Sequence, residues 1–170
     1  MKVIFINKDN LTEDEINEEV VRVKGLLINN KKELSLGYAH NCYQFPGGHK
    51  EKNETLSNVL KREIKEETGI EIEIENKPFL CIKYYHKNYL DTGKNRCNKI
   101  YYIEVNTDKK PNLDNTCYTK EEKEGNYELR YEELSNVKDV LIENSNKYPV
   151  SKIITNEMIM ALDCFNEKER

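Results

Sequence analysis

The sequence predicts an α+β fold in which a mixed sheet of short strands is sandwiched between two helices. The first observation is a helical pattern over 55–68 that ends at Gly69, because glycine most easily takes the left-handed conformation that closes a helix. The second is an apolar stripe at helical spacing from about Ser151 to Phe165. The third is a series of short β-branched or alternating runs. Periodicity alone does not choose this arrangement from other α+β folds.

Strand-like runs come before the first helix. Residues 2–6 predict a short first strand, and an acidic segment follows over 12–19. The stretch 20–28 is β-branched and largely apolar, which predicts a longer strand that turns at Asn29-Asn30. The stretch 34–38 is then expected to be its hairpin partner.

Further strands follow the first helix. Residues 70–75 read Ile-Glu-Ile-Glu-Ile-Glu, and this alternation predicts a half-buried strand with its acids toward solvent. Two longer strands are predicted over 79–86 and 99–105, joined by the turn-rich residues 91–95. A last strand is predicted over 127–131, and a short helix leads from it into the C-terminal helix.

Length and composition narrow the class of protein. The 170 residues suit a single domain spanning 1–170, and 37% hydrophobic with 34% charged residues is typical of a soluble globular protein. A net charge of −4 gives no support for a nucleic-acid surface, and no apolar run approaches the length of a membrane span. The 5 cysteines form no C-x-x-C pair, so we expect free thiols and a cytoplasmic location.

The unusual feature of the first helix is its clustered acids. At about 100° per residue, Glu66 and Glu67 lie on the same helix face as Glu63. Like charges at this spacing repel by roughly a few tenths of a kcal/mol each, and by more when they are partly buried. An oxygen-preferring divalent cation would turn this repulsion into attraction. The alternative is an ordinary solvated acidic face, which is common on exposed helices.

The wider stretch from Gly48 to Ile70 favours the cation. It reads glycine, five residues, glutamate, seven residues, then Arg-Glu-apolar-any-Glu-Glu-any-Gly-apolar. The matching positions are Gly48, Glu54, Arg62, Glu63, Ile64, Glu66, Glu67, Gly69 and Ile70. This is a complete Nudix box, and the chain therefore resembles the Nudix hydrolases (MutT-like proteins). The resemblance implies a Nudix-type α/β/α sandwich and a hydrolase that uses Mg²⁺ or Mn²⁺ to cleave a diphosphate linkage.

The resemblance also implies a role for each charged residue of the box. Glu66 and Glu67 would be the main metal ligands, and Glu63 would be either a further ligand or the base that orients the attacking water. Glu54 would support the cluster, and Arg62 would hold Glu63 or another box carboxylate through a charge-assisted bond. The box does not decide which acid is the general base.

The tripeptide Pro46-Gly47-Gly48 leads into this stretch, and its last residue is the first of the stretch. It cannot continue a regular element, and its glycines let the backbone approach a ligand closely. In the family a backbone carbonyl at this point helps to hold metal, and Gly47 is the matching position. The alternative is a simple tight turn.

The substrate implied by the resemblance is a small nucleotide, and a nucleoside triphosphate, a nucleotide sugar and a dinucleotide all fit. Tyr85 and Tyr101 in the two long strands are candidates for stacking on a nucleobase, with ordinary strand tyrosines as the alternative. Glu122 is a candidate acid in the aperiodic segment 107–126. In the family the loop at this position often overhangs the substrate. The alternative is that Glu122 belongs to a solvated lid with no role in the site. A non-catalytic, nucleotide-sensing binding module is the rival function. A homodimer is also compatible with the sequence.

Overall fold

The computed structural model describes residues 1–168, and its centre is a seven-stranded mixed sheet. The strands are β1 (Lys2–Ile6), β2 (Glu18–Ile28), β3 (Glu33–Ala39), β4 (Cys42–Gln44), β5 (Leu80–His86), β6 (Arg96–Asn106) and β7 (Glu128–Glu133). The helices are α1 (Leu56–Thr68), α2 (Lys120–Glu124), α3 (Val137–Lys147) and α4 (Lys152–Lys168). One buried cluster joins α1 to the sheet and another joins α3 and α4 to it, so the predicted α/β/α sandwich is confirmed. None of the helices within residues 1–168 is long and apolar enough to cross a membrane.

The strands diverge near the middle of the sheet. Their order is β1-β5-β6-β2-β3-β4, and β7 pairs with β3. β1 runs parallel to β5 and β2 runs parallel to β6, whereas the other pairs are antiparallel. β2 pairs with β6 along its whole length but with β3 only at Leu27 and Ile28. Most of one edge of β2 is therefore left for another partner.

The segment that follows β4 occupies this edge. The N–H groups of Val23 and Gly25 donate to the carbonyl oxygens of Gly48 (2.9 Å) and Pro46 (2.8 Å). These bonds satisfy backbone N–H groups of β2 that a neighbouring strand would otherwise pair with. The glycine-rich loop therefore takes the place of that strand. The loop then leads the chain to the start of α1.

α1 begins and ends at residues that its sequence predicts. Thr55 Oγ1 accepts a hydrogen bond from the N–H of Asn58 (3.2 Å), which caps the first turn. Gly69 has φ 69° and donates its N–H to the carbonyl of Lys65 (2.8 Å). A Cβ at Gly69 would also lie 1.9 Å from the carbonyl oxygen of Asn112, so the close approach of that segment requires glycine. The fully buried apolar residues of the helix are Val59, Leu60 and Ile64.

The prediction of a strand over 70–75 is wrong, because within residues 1–168 this segment pairs with no other strand. Its alternation has another cause. Ile70 and Ile74 are buried in the cluster beneath α1, while Glu71 pairs with Lys65 of α1 (2.6 Å). The segment therefore runs back along the helix, with one side in the core and the other in solvent.

The aperiodic segment 107–126 contains a short 3₁₀ turn and α2, and it packs against the end of α1. The N–H of Asn112 donates to the carbonyl of Thr68 (2.9 Å), and the N–H of Cys117 donates to the carbonyl of Glu66 (2.8 Å). These bonds satisfy carbonyls that a helix end leaves without partners. The segment is thereby held beside the helix turn that carries the clustered acids.

Candidate active site

Three carboxylates lie on the C-terminal half of α1, on one face of the helix. Glu63, Glu66 and Glu67 are three or four residues apart, which places them side by side. Glu67 is only 3% exposed, whereas the side chains of Glu63 and Glu66 are 14% and 37% exposed. The acidic face therefore passes from a buried carboxylate to one that solvent and ligands can reach.

Arg62 joins this face to the acid of the preceding loop. Its Nε and Nη2 donate to Glu54 at 2.9 and 3.1 Å. Its Nη1 donates to Glu63 Oε1 (2.7 Å) and to Glu66 Oε2 (3.2 Å). The hydrogen bond from Arg62 lowers the pKa of Glu54, and the acids in turn raise the pKa of Arg62, with Glu54 as the largest cause. A single guanidinium therefore holds three carboxylates in one arrangement.

Glu67 is the most deeply buried acid of this face. Its Oε2 accepts a hydrogen bond from Tyr127 Oη (2.9 Å), and its Oε1 accepts a longer one from the N–H of Gly47 (3.4 Å). Burial nevertheless raises the pKa of Glu67 to about 7. Burial also raises the pKa of Glu63, because the loss of water outweighs its bond to Arg62. Both carboxylates would gain from a nearby positive charge.

The glycine loop lies directly against these acids. Gly47 has φ 130°, and a Cβ there would lie 2.1 Å from the carbonyl oxygen of Val23. A Cβ on Gly48 would lie 2.3 Å from Glu63 Oε1. The carbonyl oxygen of Gly47 accepts a hydrogen bond from Lys24 Nζ (2.6 Å). Only a backbone without side chains can therefore come this close both to β2 and to the carboxylates.

The remaining predicted site residues lie elsewhere. Tyr85 is buried with Leu11 and packs edge-on against Phe5, and Tyr101 packs against the cluster beneath α1. Neither tyrosine joins the hydrogen-bonded group around Arg62 and Glu67. Glu122 caps α2, where its Oε2 accepts a hydrogen bond from the N–H of Thr119 (2.6 Å). Its charge still helps to raise the pKa of Glu67, so α2 lies within electrostatic reach of the acids.

Two residues that sequence reasoning did not single out take part in the site. Lys24 extends from β2 to the carbonyl of Gly47, and Tyr127 reaches Glu67 from the residue before β7. A lysine inside a largely apolar strand was the available signal for Lys24. For Tyr127 the sequence held no comparable signal; in the fold its hydroxyl packs against Gly37, where a Cβ would lie 2.6 Å from it.

The opposite face of the sheet carries a second polar group next to Lys24. Glu157 of α4 accepts a hydrogen bond from Tyr102 Oη (2.6 Å). Burial raises the pKa of Glu157, while the positive charge of Lys24 acts in the other direction. The rings of Tyr84 and His86 lie further along the same face, stacked with centroids 6.0 Å apart and planes 15° apart. Half-buried aromatic and acidic side chains therefore share this face of the sheet with Lys24.

The oxygen donors of the site suit a hard divalent cation. Carboxylate and backbone carbonyl oxygens are the ligands that Mg²⁺ and Mn²⁺ prefer, and Glu66, Glu67 and the Gly47 carbonyl supply them. In the structure these oxygens accept hydrogen bonds from N–H and O–H groups of the protein. Across residues 1–168 no three acidic, histidine or cysteine side chains converge closely enough to hold an ion as they stand. Binding a cation would therefore exchange part of the present hydrogen bonds for metal contacts.

Tyr127→Phe is expected to weaken Mn²⁺ binding by about tenfold, because the hydroxyl orients a carboxylate that would be a ligand. The phenylalanine ring keeps the packing and removes only the donor. Calorimetric titration of the purified protein with Mn²⁺ measures the effect.

Tyr118→Phe is the matched control for this change. Tyr118 packs against Tyr127 with ring centroids 5.1 Å apart, so its variant alters the same aromatic pair without touching Glu67. We expect its Mn²⁺ affinity to equal that of the wild type. Equal loss of affinity in both variants would mean that the aromatic packing, and not the hydroxyl, supports the acid.

A known protein family and a known protein are similar to this chain in sequence. A family model described as the NUDIX domain matches residues 19–149. An 8-oxo-dGTP diphosphatase of Buchnera aphidicola subsp. Schizaphis graminum is 44% identical over 50 residues, which are 29% of this chain. The match spans only 38% of that relative's length.

Two solved structures have a similar fold. The mMutator MutT protein of Bacillus halodurans superimposes with a TM-score of 0.53 and 18% identity, over 71% of this chain and 72% of that one. The Ap4A hydrolase of C. elegans superimposes with a TM-score of 0.50 and 19% identity, over 89% of this chain and 98% of that one. At these identities the likeness concerns the fold alone.

Proposed function

This chain belongs to the Nudix family, and we propose that it is a hydrolase that cleaves the diphosphate linkage of a nucleoside diphosphate joined to another group, with the help of Mg²⁺ or Mn²⁺. The observation that carries the proposal is the buried acidic face of α1 beside the glycine loop. There burial raises the pKa of Glu67 to about 7, so its charged form needs further positive charge as compensation. A divalent cation supplies that compensation. The negative phosphate groups of a substrate then balance the remaining charge of the cation.

In this proposal each box residue has a defined task. Glu66, Glu67 and the carbonyl of Gly47 hold the cation. When bound, the cation neutralises phosphoryl oxygens and lowers the pKa of a coordinated water. Arg62 fixes the acids so that they present their oxygens in one direction.

Glu63 is either a further ligand or the base. Arg62 engages Oε1 of Glu63, which leaves Oε2 to accept a proton from the attacking water. Burial raises the pKa of Glu63 and so makes it a better proton acceptor than an exposed glutamate. A cation bound by Glu66 and Glu67 leaves both roles open to it.

The organic part of the substrate is proposed to bind on the sheet face that carries Tyr84 and His86. Their stacked rings offer a flat surface for a nucleobase, and Glu157 can accept a hydrogen bond from a base amino group. Lys24 lies between this surface and the glycine loop, where phosphates would lie. Tyr84 replaces Tyr85 in this assignment because adjacent strand residues point to opposite faces.

The substrate class is best defined by a nucleotide panel. The panel contains nucleoside triphosphates, including 8-oxo-dGTP because a relative is named for it, together with nucleotide sugars, ADP-ribose and diadenosine polyphosphates. Each is incubated with Mg²⁺, Mn²⁺ or a chelator, and products are identified by chromatography and mass. We expect cleavage at a diphosphate linkage of at least one member, only with a metal ion. Thermal stabilisation by a nucleotide without any cleavage would instead favour a non-catalytic binding module.

A further inference from the structure

Lys24 places a positive charge where the proposed function requires a divalent cation to bind. It lies on β2 between Val23 and Gly25, the two residues whose N–H groups hold the glycine loop. Its half-buried side chain directs Nζ to the carbonyl oxygen of Gly47, at 2.6 Å. That oxygen is the backbone ligand assigned to the cation. The ammonium group and the metal ion would therefore need the same acceptor.

The surroundings of Lys24 show what keeps its charge in this place. Burial lowers the pKa of Lys24, and the negative charge of Glu67 is the largest opposing influence. Glu157 and Glu63 add to the attraction, whereas Arg22 opposes it. The ion pairs found among residues 1–168 do not include Lys24, so the Gly47 carbonyl is its closest anchoring contact. Lys24 thus offsets the negative charge of these acids by electrostatic attraction at a distance, without forming an ion pair with them.

We propose that Lys24 is a positioning residue that serves as the internal counter-ion of the site and competes with the divalent cation for the Gly47 carbonyl. In the metal-free protein its ammonium group holds the glycine loop and offsets part of the charge of Glu67 and Glu63. When a cation binds, Lys24 gives up the carbonyl and its charge repels the ion. The affinity for the cation is therefore lower than the oxygen ligands alone would give. This inference rests on the proposed function, because it takes the Gly47 carbonyl as a metal ligand.

Removing the charge is expected to increase the affinity for a divalent cation. Lys24→Met, which keeps most of the length of the side chain without its charge, should bind Mn²⁺ about tenfold more tightly than the wild type. The same variant should unfold at a lower temperature without metal, because Glu67 then lacks its counter-ion. A residue with a merely structural role would weaken metal binding when replaced. A gain in affinity therefore points to the positive charge of Lys24 and excludes a merely structural role.

Two further variants make the test decisive. Lys24→Gln is neutral but keeps an N–H donor for the Gly47 carbonyl, so it tests the charge even if the methionine variant does not fold. Lys99→Met is the matched control, because Lys99 on the neighbouring strand β6 forms its ion pair with Glu19. Mn²⁺ binding is measured by calorimetry, and unfolding temperatures are measured with Mn²⁺ and with a chelator.

Tighter Mn²⁺ binding by Lys24→Met and Lys24→Gln, with no change in Lys99→Met, is the result expected. Equal or weaker binding by both Lys24 variants, while the wild type binds Mn²⁺ normally, would overturn the role of Lys24 and leave the proposed function in place. No Mn²⁺ binding by the wild type or any variant would overturn both.

Discussion

Glu67→Gln is expected to reduce kcat for metal-dependent hydrolysis by about a thousandfold, while the fold stays intact. The glutamine keeps the size of the side chain but removes the charge that would hold the cation. Its amide can still accept the hydrogen bond from Tyr127, so the local packing survives. Steady-state kinetics with saturating Mg²⁺ measure the loss, and circular dichroism checks the fold.

The same substitution should change how stability depends on pH. Burial raises the pKa of Glu67 from its ordinary 4.5 to about 7, so between these values the folded protein binds more protons than the unfolded chain. The metal-free protein therefore loses stability as the pH rises from about 4.5 to 7, because the buried carboxyl must ionise. Glu67→Gln removes this contribution and should flatten the curve over that range.

Glu71→Gln is the matched control for the loss of one negative charge. Glu71 lies just beyond α1, and its side chain is 75% exposed and paired with Lys65. We expect its kcat and its pH dependence to resemble those of the wild type. Unchanged turnover in Glu67→Gln would contradict the assignment of the acidic face as the metal site.

Arg62→Ala is expected to lower the free energy of unfolding by about 2–4 kcal/mol in the absence of metal. The guanidinium is half-buried and bonds to Glu54, Glu63 and Glu66. Its removal leaves these acids close together without the positive group that hydrogen-bonds to all three. Activity should fall as well, because the carboxylates are no longer held in one direction. Urea unfolding followed by circular dichroism, with a chelator present, gives the change in stability.

Lys61→Ala provides the comparison, because Lys61 is the preceding residue of the same helix. It forms an ion pair with Glu73, whose side chain is 84% exposed, and such surface pairs contribute less than about 1 kcal/mol. We therefore expect a small effect on stability and none on turnover. If Arg62→Ala were as stable as Lys61→Ala, the acids would not depend on the guanidinium for their arrangement.

Local patterns were sufficient for most of the fold. The runs at 2–6, 20–28, 34–38, 79–86, 99–105 and 127–131 all lie in strands, with boundaries that shift by a few residues. The helix 55–68 and its end at Gly69 also agree with the structure. The exception at 70–75 shows why alternation is not enough. A segment with one side in the core alternates whether or not a neighbouring strand is present to pair with it.

Local patterns say less about which residues meet across the fold. Spacing along α1 shows that Glu63, Glu66 and Glu67 share a face, but it does not show that Arg62 reaches Glu54 or that Tyr127 reaches Glu67. Those contacts depend on how distant segments pack, over 60 residues in the case of Tyr127 and Glu67. The sequence pattern also does not show which face of the sheet lies beside the loop. Tyr84 and Tyr85 are adjacent in the strand and therefore lie on opposite faces, so choosing between them requires the fold.

The central claim is that the acidic face of α1 and the glycine loop use a divalent cation to add water to a phosphorus atom. The most direct test is to incubate a panel substrate in water enriched in the heavy oxygen isotope and to weigh the products by mass spectrometry. We predict one heavy oxygen in a phosphate-bearing product for each linkage cleaved, with Mg²⁺ but not with a chelator. Cleavage that persists in the chelator, or products without the heavy oxygen, would contradict metal-dependent hydrolysis at the diphosphate.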